Sequence, residues 1–394
     1  MNSTTFTSCA LVLEPAVKLT DQQVYVVMEK EKLGELVTAF GEISDPRHKR
    51  GLRYDLVFLL TCLMMGTLCN CDSTEAIAQW CEANVHVLEE FFETRRFLTP
   101  CGSQFRRLLA KLDASHIETV LAKWIKQTRP LDDSEAVALD GKVIRGTHSK
   151  GKKALELLSF RTHNTHETIY QVVTPDKTNE IPVAQKALPL LSGKNRVYTA
   201  DALHTQLETA KIIVESGNDY LFTVKMNQPT LRDALRFYFE GPEAKFSTDK
   251  TINLVRGRRE VREIKVSSEM NSYLNMWTGI AQVTEVKRTI TRSGKEHTET
   301  VYQITSCKSE QTDALKLLNL GRGHWSVENS SHYVRDVTFG EDGSRLRTGG
   351  GPQIMACLRN LVITLIHRCG SSNIAKSRRD FTYHPKKALA LITG

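Results

Sequence analysis

Three acidic residues stand in contexts that would hold a carboxylate at a working position. Asp140 ends the apolar run Ala136-Val137-Ala138-Leu139 and precedes Gly141-Lys142, the pattern of a buried strand whose last side chain emerges at the sheet edge. Asp201 repeats that design, because Arg196-Val197-Tyr198-Thr199-Ala200 leads into Asp201-Ala202-Leu203-His204-Thr205-Gln206, where a turn and then a helix begin. Glu328 differs. Gly323-His324-Trp325-Ser326-Val327-Glu328-Asn329-Ser330-Ser331-His332 lacks strand alternation and reads as the start of a helix, with Glu328 and His332 on one face at i, i+4 spacing. Two strand-end aspartates and one helical glutamate can converge on a pair of Mg²⁺ ions, which would make a two-metal nuclease site. In-line displacement at a phosphodiester needs charge stabilised on both the attacking and the leaving oxygen, and two ions roughly 3.5–4 Å apart meet that need. Hard cations take oxygen ligands, so three carboxylates, with substrate phosphate and water, suffice without a cysteine. Each residue alone has an ordinary reading as well: an Asp before Gly is a common turn pair, and a helical Glu is commonly a solvated face.

The elements that must position these residues alternate in type. Strand patterns fall at 136–140, 155–162, 168–174, 196–200 and 220–225, with helices at 181–191, entered through Pro182, and 207–216, ended by Gly217. Three strands, helix, strand, helix, strand, helix is an α/β layer architecture, in the order of the ribonuclease H-like fold. About a hundred residues separate the fifth strand from Glu328, too many for a loop. Alternation with β-branched residues at 251–268, 273–290 and 298–306 predicts an inserted, mostly β subdomain at about 229–310. Upstream, Leu56 to Leu68 is apolar on nearly every side, and 74–81, 86–92, 103–112 and 115–128 keep helical spacing, so 41–130 reads as an all-helical domain. Residues 135–394 are expected to form the catalytic domain, with a further apolar helix at 352–369. Residues 1–40 form an extension whose role is unreadable.

At these residues the chain resembles a family, the DDE transposases of bacterial insertion sequences, in particular the ISAs1 type that includes the H-repeat-associated proteins. The resemblance is carried by Leu-Asp-Gly-Lys around Asp140, Ala-Asp-Ala-Leu-His-Thr-Gln around Asp201, and the strand Asp219-Tyr220-Leu221-Phe222 to Lys225-Met226-Asn227-Gln228. It continues in His-Trp-x-x-Glu-Asn-x-x-His around Glu328, in Asp336-Val337-x-Phe339-x-Glu341-Asp342, and in Arg345-x-Arg347-x-Gly349, running from about Gly41 to near the C-terminus. It implies a ribonuclease H-like catalytic domain holding two Mg²⁺ ions, with Mn²⁺ able to substitute, on Asp140 as bridging ligand and Asp201 and Glu328 as flanking ligands. It also implies terminal inverted repeats and target DNA as partners, a homodimer in the DNA complex, and a helical domain at 41–130 that helps recognise the ends. Water would free a 3′-OH at each end, and that hydroxyl would attack the target.

The chain departs from related patterns at named positions. Arg256-Gly257-Arg258-Arg259-Glu260-Val261-Arg262 resembles His-Gly-Arg-x-Glu-x-Arg with Arg256 in place of the histidine. Against a Tyr-x2-Arg-x3-Glu-x6-Lys signature, Gly321 and His324 occupy the Tyr and Arg positions, Arg335 stands at the Lys position as a phosphate binder, and Arg322 is a replacement for the missing arginine. Candidate DNA contacts are Arg47, His48, Lys49, Arg50 and Arg53, with Arg106 and Arg107, and a stripe of Arg256, Arg258 and Arg262 on one strand face. Trp277 and Trp325 have two readings, stacking platforms for an extruded base or core aromatics. Asn329 would orient a phosphate or metal-bound water, or lie on a helix surface, and His324 and His332 would sit near metal or serve as structural hydrogen-bonders.

Composition agrees with this reading. The chain has 394 residues, 40% of them apolar, enough for two or three domains and a sizeable core. A net charge of +8 and a pI near 8.9 favour an anionic partner. Nine cysteines, an odd number mostly in apolar stretches, fit a reducing cytoplasm, and Cys69 with Cys71 has no second pair at zinc spacing. No segment reads as a secretory leader or membrane span. The leading expectation is a Mg²⁺-dependent transposase. The alternatives are a transposase-derived DNA-binding or targeting factor without catalysis, and a nuclease that cleaves without integrating.

Overall fold

The computed structural model describes residues 34–48, 52–92, 98–128, 135–149, 151, 153–191, 193–242, 245–255 and 257–393. The chain divides into two compact units, one of residues 1–129 with 337–394 and one of residues 130–336.

The first unit is helical among its described residues. It begins with α1 (Glu35–Phe40), α2 (Leu56–Leu68), α3 (Thr74–Ala83), α4 (Val85–Phe92), α5 (Gly102–Lys111) and α6 (Ala114–Thr128). Asp55 caps α2, its Oδ1 accepting from the backbone N–H of Val57 at 2.8 Å. Every α2 residue except Val57 is buried, as a helix apolar all round demands.

The second unit is a mixed α/β structure. Its elements run β1 (Val137–Ile144), β2 (Leu155–Thr162), β3 (Thr168–Thr174), α7 (Glu180–Ala187), β4 (Val197–Ala200), α8 (Leu207–Glu215), β5 (Asp219–Val224), α9 (Pro229–Glu240), β6 (Ser247–Val255), β7 (Arg258–Ser267), β8 (Gln282–Arg292), β9 (Lys295–Thr305) and α10 (Ala314–Val327). The strands form one nine-stranded sheet in the order β3-β2-β1-β4-β5-β9-β8-β7-β6. Strands β1, β4 and β5 are mutually parallel, and the remaining pairs are antiparallel. The segment read as a separate β subdomain therefore opens with helix α9, and its strands continue the same sheet through the β5–β9 pairing.

Strand alternation assigns the two faces. Val137 and Leu139 of β1, Tyr198 and Ala200 of β4, and Tyr220 and Phe222 of β5 enter one core with residues of α7, α8 and α9. Leu221 faces the other way, into a smaller core with Ile264, Val266 and Leu317 and Leu318 of α10. Helix α10 packs on β1, β4, β6 and β7.

The chain then returns to the first unit with α11 (Gly351–Arg368), α12 (Ile374–Tyr383) and α13 (Pro385–Thr393), and α11 packs on α2, α5 and α6. Residues 337–393, read from sequence as part of the catalytic domain, thus pack among the N-terminal helices. In that unit Arg359 Nη1 donates to the fully buried Glu341 Oε1 at 2.9 Å, and Arg378 Nε donates to Thr67 O at 3.1 Å. Among the described residues no helix is long and apolar enough to cross a membrane.

Candidate active site

The β1–β4 ladder ends at the pair Leu139–Ala200, and one residue beyond that pair stand Asp140 and Asp201. Leu139 and Ala200 point into the large core, so alternation turns both aspartates toward the α10 face. Helix α10 brings Glu328 there, where its regular turns widen into a π-helical stretch, Glu328–His332. Such bulges recur at functional sites. The i, i+4 face expected for Glu328 and His332 is replaced by this wider turn, which puts His332 Nδ1 3.4 Å from Asp140 Oδ2.

The site is electrostatically loaded. Burial first, then the charges of Asp201, Glu180 and Glu328, raise the Asp140 carboxyl from 3.8 to about 7. Burial together with like charges held close produces such a shift. The donor set, hard oxygens with mutual repulsion, fits a divalent metal ion. Among the described residues no three His, Cys, Asp or Glu side chains are gathered closely enough to form a ready coordination shell.

The raised Asp140 value has a stability consequence for the metal-free protein. Between about pH 4 and pH 7 the folded chain holds a proton at Asp140 that the unfolded chain has released, so stability falls as pH rises through that window. Asp140→Asn should therefore raise the melting temperature in EDTA at pH 8, with the gain shrinking toward pH 5. A gain of equal size at both pH values would show that titration of Asp140 is not its source.

The surrounding motif residues are tied into this corner. Asp201 Oδ1 accepts from Leu203 N at 3.1 Å, closing the first turn after β4. The stretch Ala202–Gln206 is stitched to the end of β5: Asn227 Nδ2 donates to Ala202 O at 2.5 Å, Gln228 Nε2 to Thr205 O at 2.9 Å, and Thr205 Oγ1 to Thr223 O at 2.6 Å. Lys142, on the Asp140 face of β1 and 6% exposed, donates to both oxygens of Asp336 at 2.6 and 2.7 Å, so its charge is spent on the residue that opens another motif. Thr199 links His163, 2.9 Å away, with His324 at 3.3 Å. Burial foremost drives both rings toward the neutral form, His324 to about 4 and His163 to about 3. Gly323 leaves room for this pair, since a Cβ there would collide with the His163 ring.

Several residues near the aspartates were not singled out from sequence. Glu180, first residue of α7, lies against Gly141, and its Oε2 is 3.2 Å from His204 Nε2. Burial alone would raise the Glu180 carboxyl, but hydrogen bonds with His204 and Glu156 hold it below its usual value. Glu156, by contrast, is raised by burial and by its hydrogen bond with Glu180. In sequence Glu180 follows the cap residue Asn179 and reads as an ordinary first-turn acid. Only His204, within the Asp201 motif, offered a signal.

The expected DNA contacts separate sharply. Trp277 is 4% exposed in the core on the opposite sheet face from Asp140, which corrects the expectation of a stacking platform. Arg335 is fully buried beside Arg161, whose guanidinium is lowered to about 9 by burial and then by Arg335, so the expected phosphate contact at Arg335 is also corrected. Trp325 is 48% exposed, with Lys225 Nζ 5.6 Å from its ring centroid, and Asn329 is exposed one turn on. Arg258 and Arg262 do share a face, yet the buried Glu260 lies between them at 2.6 and 2.7 Å, and Arg288 joins the same carboxylate. Exposed Arg322 adds its charge beside Arg262. In the first unit Arg47 is held by Asp45 at 2.7 Å and by Tyr54 O at 2.9 Å, and Arg106 pairs with Glu75. Arg107 Nε donates to Ser103 O at 3.2 Å, and His48 and Arg53 are exposed. Lys49, Arg50 and Arg256 lie outside the described residues.

Comparison with known proteins converges on one family. The transposase DDE domain matches residues 132–365, and the associated region named DDE_Tnp_1-associated matches residues 37–125. "Putative transposase YncI" of Escherichia coli O157:H7 is 27% identical over 352 residues, covering 87% of this chain and 89% of that protein. "H repeat-associated putative transposase YhhI" of Escherichia coli strain K12 is 25% identical over 351 residues, 86% of this chain and 91% of that protein. Among solved structures, a piggyBac transposase synaptic complex with hairpin DNA aligns at TM-score 0.43 and 14% identity over 91% of this chain and 77% of that one, a likeness too slight to argue from. Since the DDE domain spans more than half of its length, the chain belongs to the DDE transposases of insertion sequences, in the company of the H-repeat-associated proteins, and is an enzyme of that class.

Proposed function

We propose that the protein binds the terminal inverted repeats of a mobile element and catalyses Mg²⁺-dependent strand cleavage and strand transfer. The observation that carries this is the meeting of Asp140, within β1 rather than at its end as read from sequence, Asp201, the first residue after β4, and Glu328, where α10 passes into the wider turn, closely enough that their charges help raise Asp140 to about 7. The order β3-β2-β1-β4-β5, with β1, β4 and β5 parallel, supports a ribonuclease H-like reading of that half of the sheet. Asp140, Asp201 and Glu328 would hold the ions, and bound Mg²⁺ supplies charge stabilisation at the attacking and leaving oxygens. His332 orients Asp140, while the neutral His324 and His163 fill the space behind Asp201. Trp325, with Lys225 over its ring, would offer its exposed side to an extruded base.

In this reading residues 41–130 contribute to end recognition, a homodimer forms on DNA, and the protein works in the cytoplasm against the nucleoid. Incubating the full-length protein with labelled DNA carrying the element's ends, with Mg²⁺ or with EDTA, tests it. Cleavage at the ends and joining to target DNA only with Mg²⁺ are expected. Binding without cleavage under all metal conditions would favour a DNA-targeting factor, and cleavage without joining a nuclease.

The arginines around Glu260 give a further expected result. Arg258→Ala and Arg322→Ala should each weaken DNA binding about equally for all sequences and reduce the slope of log affinity against log salt by about one per lost phosphate contact. Unchanged salt slopes in both variants would remove this face from the DNA path.

A further inference from the structure

Within the Asp201 motif, His204 is 1% exposed and bonds to Glu180. Helix α7, which Glu180 opens, sends Ala184 and Ala187 into the large core, on the face opposite to Asp140. Alternation turns the missing side chain of Gly141 toward that same face. A Cβ built on Gly141 would collide with Glu180 Oε1, so the carboxylate occupies the place a side chain would take. Its other oxygen, Oε2, faces His204 Nε2 at 3.2 Å. Glu156 of β2 shares a hydrogen bond with the same group.

The β1–β4 pairing ends at Leu139–Ala200, one residue short of Asp140 and Asp201, so the two aspartates are not themselves paired. We propose that Glu180 is a positioning residue that braces the two aspartates from behind, one oxygen seated under Gly141 beside Asp140 and the other gripping His204 in the loop of Asp201. This inference rests on the metal-site reading of Asp140 and Asp201. Glu180 reaches the site from the rear of the sheet, so it sets the spacing of the metal-binding carboxylates without entering their face.

The test is a titration of the full-length, metal-free protein with Mg²⁺ or Mn²⁺ alone, read by calorimetry, with the melting temperature of each variant confirming the fold. Loss of a group that orients a ligand weakens metal affinity by about 10–100-fold, and Glu180→Ala should fall in that range. Glu180→Gln keeps the acceptor for His204 and the seat under Gly141, so its affinity should stay near wild type, well short of the loss in Glu180→Ala. Gly141→Ala evicts the Glu180 carboxylate and should reproduce Glu180→Ala, with the double variant no worse than either single one. Should Glu180→Ala fail to fold, Glu180→Gln and Gly141→Ala still decide the matter. Wild-type affinity in Glu180→Ala or Gly141→Ala overturns the brace, as does a Glu180→Gln variant as weak as Glu180→Ala, which would make Glu180 a ligand through its charge. Asp140→Asn serves as the control. Affinity lost there but kept in Glu180→Ala overturns the brace alone, whereas affinity kept in Asp140→Asn overturns the metal-site reading and the brace with it.

Discussion

Asp140→Asn, Asp201→Asn and Glu328→Gln should each abolish strand cleavage while leaving DNA-end binding near wild type. The amide keeps the shape of the carboxylate and loses the charge that would hold a cation. Metal stabilisation of transition-state charge is worth several kcal/mol, so the drop should reach about 10³-fold or more. Gel assays of cleaved ends at fixed DNA occupancy separate loss of chemistry from loss of binding. Wild-type cleavage by Asp140→Asn would end the assignment.

Trp277→Ala should unfold the protein more readily and lower every activity together. The side chain is buried in the large core that also holds Tyr198, Tyr220 and Phe222, and removing an aromatic of that size costs about 3–5 kcal/mol. Trp325→Ala should behave in the opposite way. Its half-exposed ring gives up a cation–π contact with Lys225 worth about 0.5–1 kcal/mol, so the melting temperature should hardly move. If the ring stacks an extruded base, the first nick survives in this variant and a hairpin intermediate does not. Equal loss of melting temperature in both variants would contradict the exposure difference on which this rests.

Most strands around the candidate site were legible because they combine an apolar run with a punctuated end: β2 to β5 lie within one residue of the positions read from sequence, whereas β1 runs on to Ile144, four residues past the end read at Asp140, because Gly141 and Lys142 stay in the ladder with β2. What escaped was whatever depends on long-range packing. Glu180 carries no local mark, since an acid after an Asn cap is ordinary, and its importance comes from Gly141, 39 positions back in sequence and in contact only through the fold. Arg335 reads as a phosphate binder by spacing, yet the widened turns after Val327 rotate every later side chain, and this one ends beside Arg161. Trp277 lies in a run read from sequence as alternating strand, 273–290, whose first part is instead the turn-rich segment before β8, so alternation could not tell inside from outside there. Helix α9 was absorbed into a β region because its pattern sits just ahead of three strongly alternating runs.

A ribosome would release this chain in an awkward order. Helix α2 is apolar on nearly all sides, and part of its cover, α11 to α13, is encoded near the other end of the message. The whole of the second unit must emerge before that cover exists, so the nascent N-terminal helices wait through more than two hundred residues with sticky surface uncovered. A product cut short before Gly351 would retain the three carboxylates and lack the cover, and is expected to aggregate or be degraded rather than persist as a free nuclease.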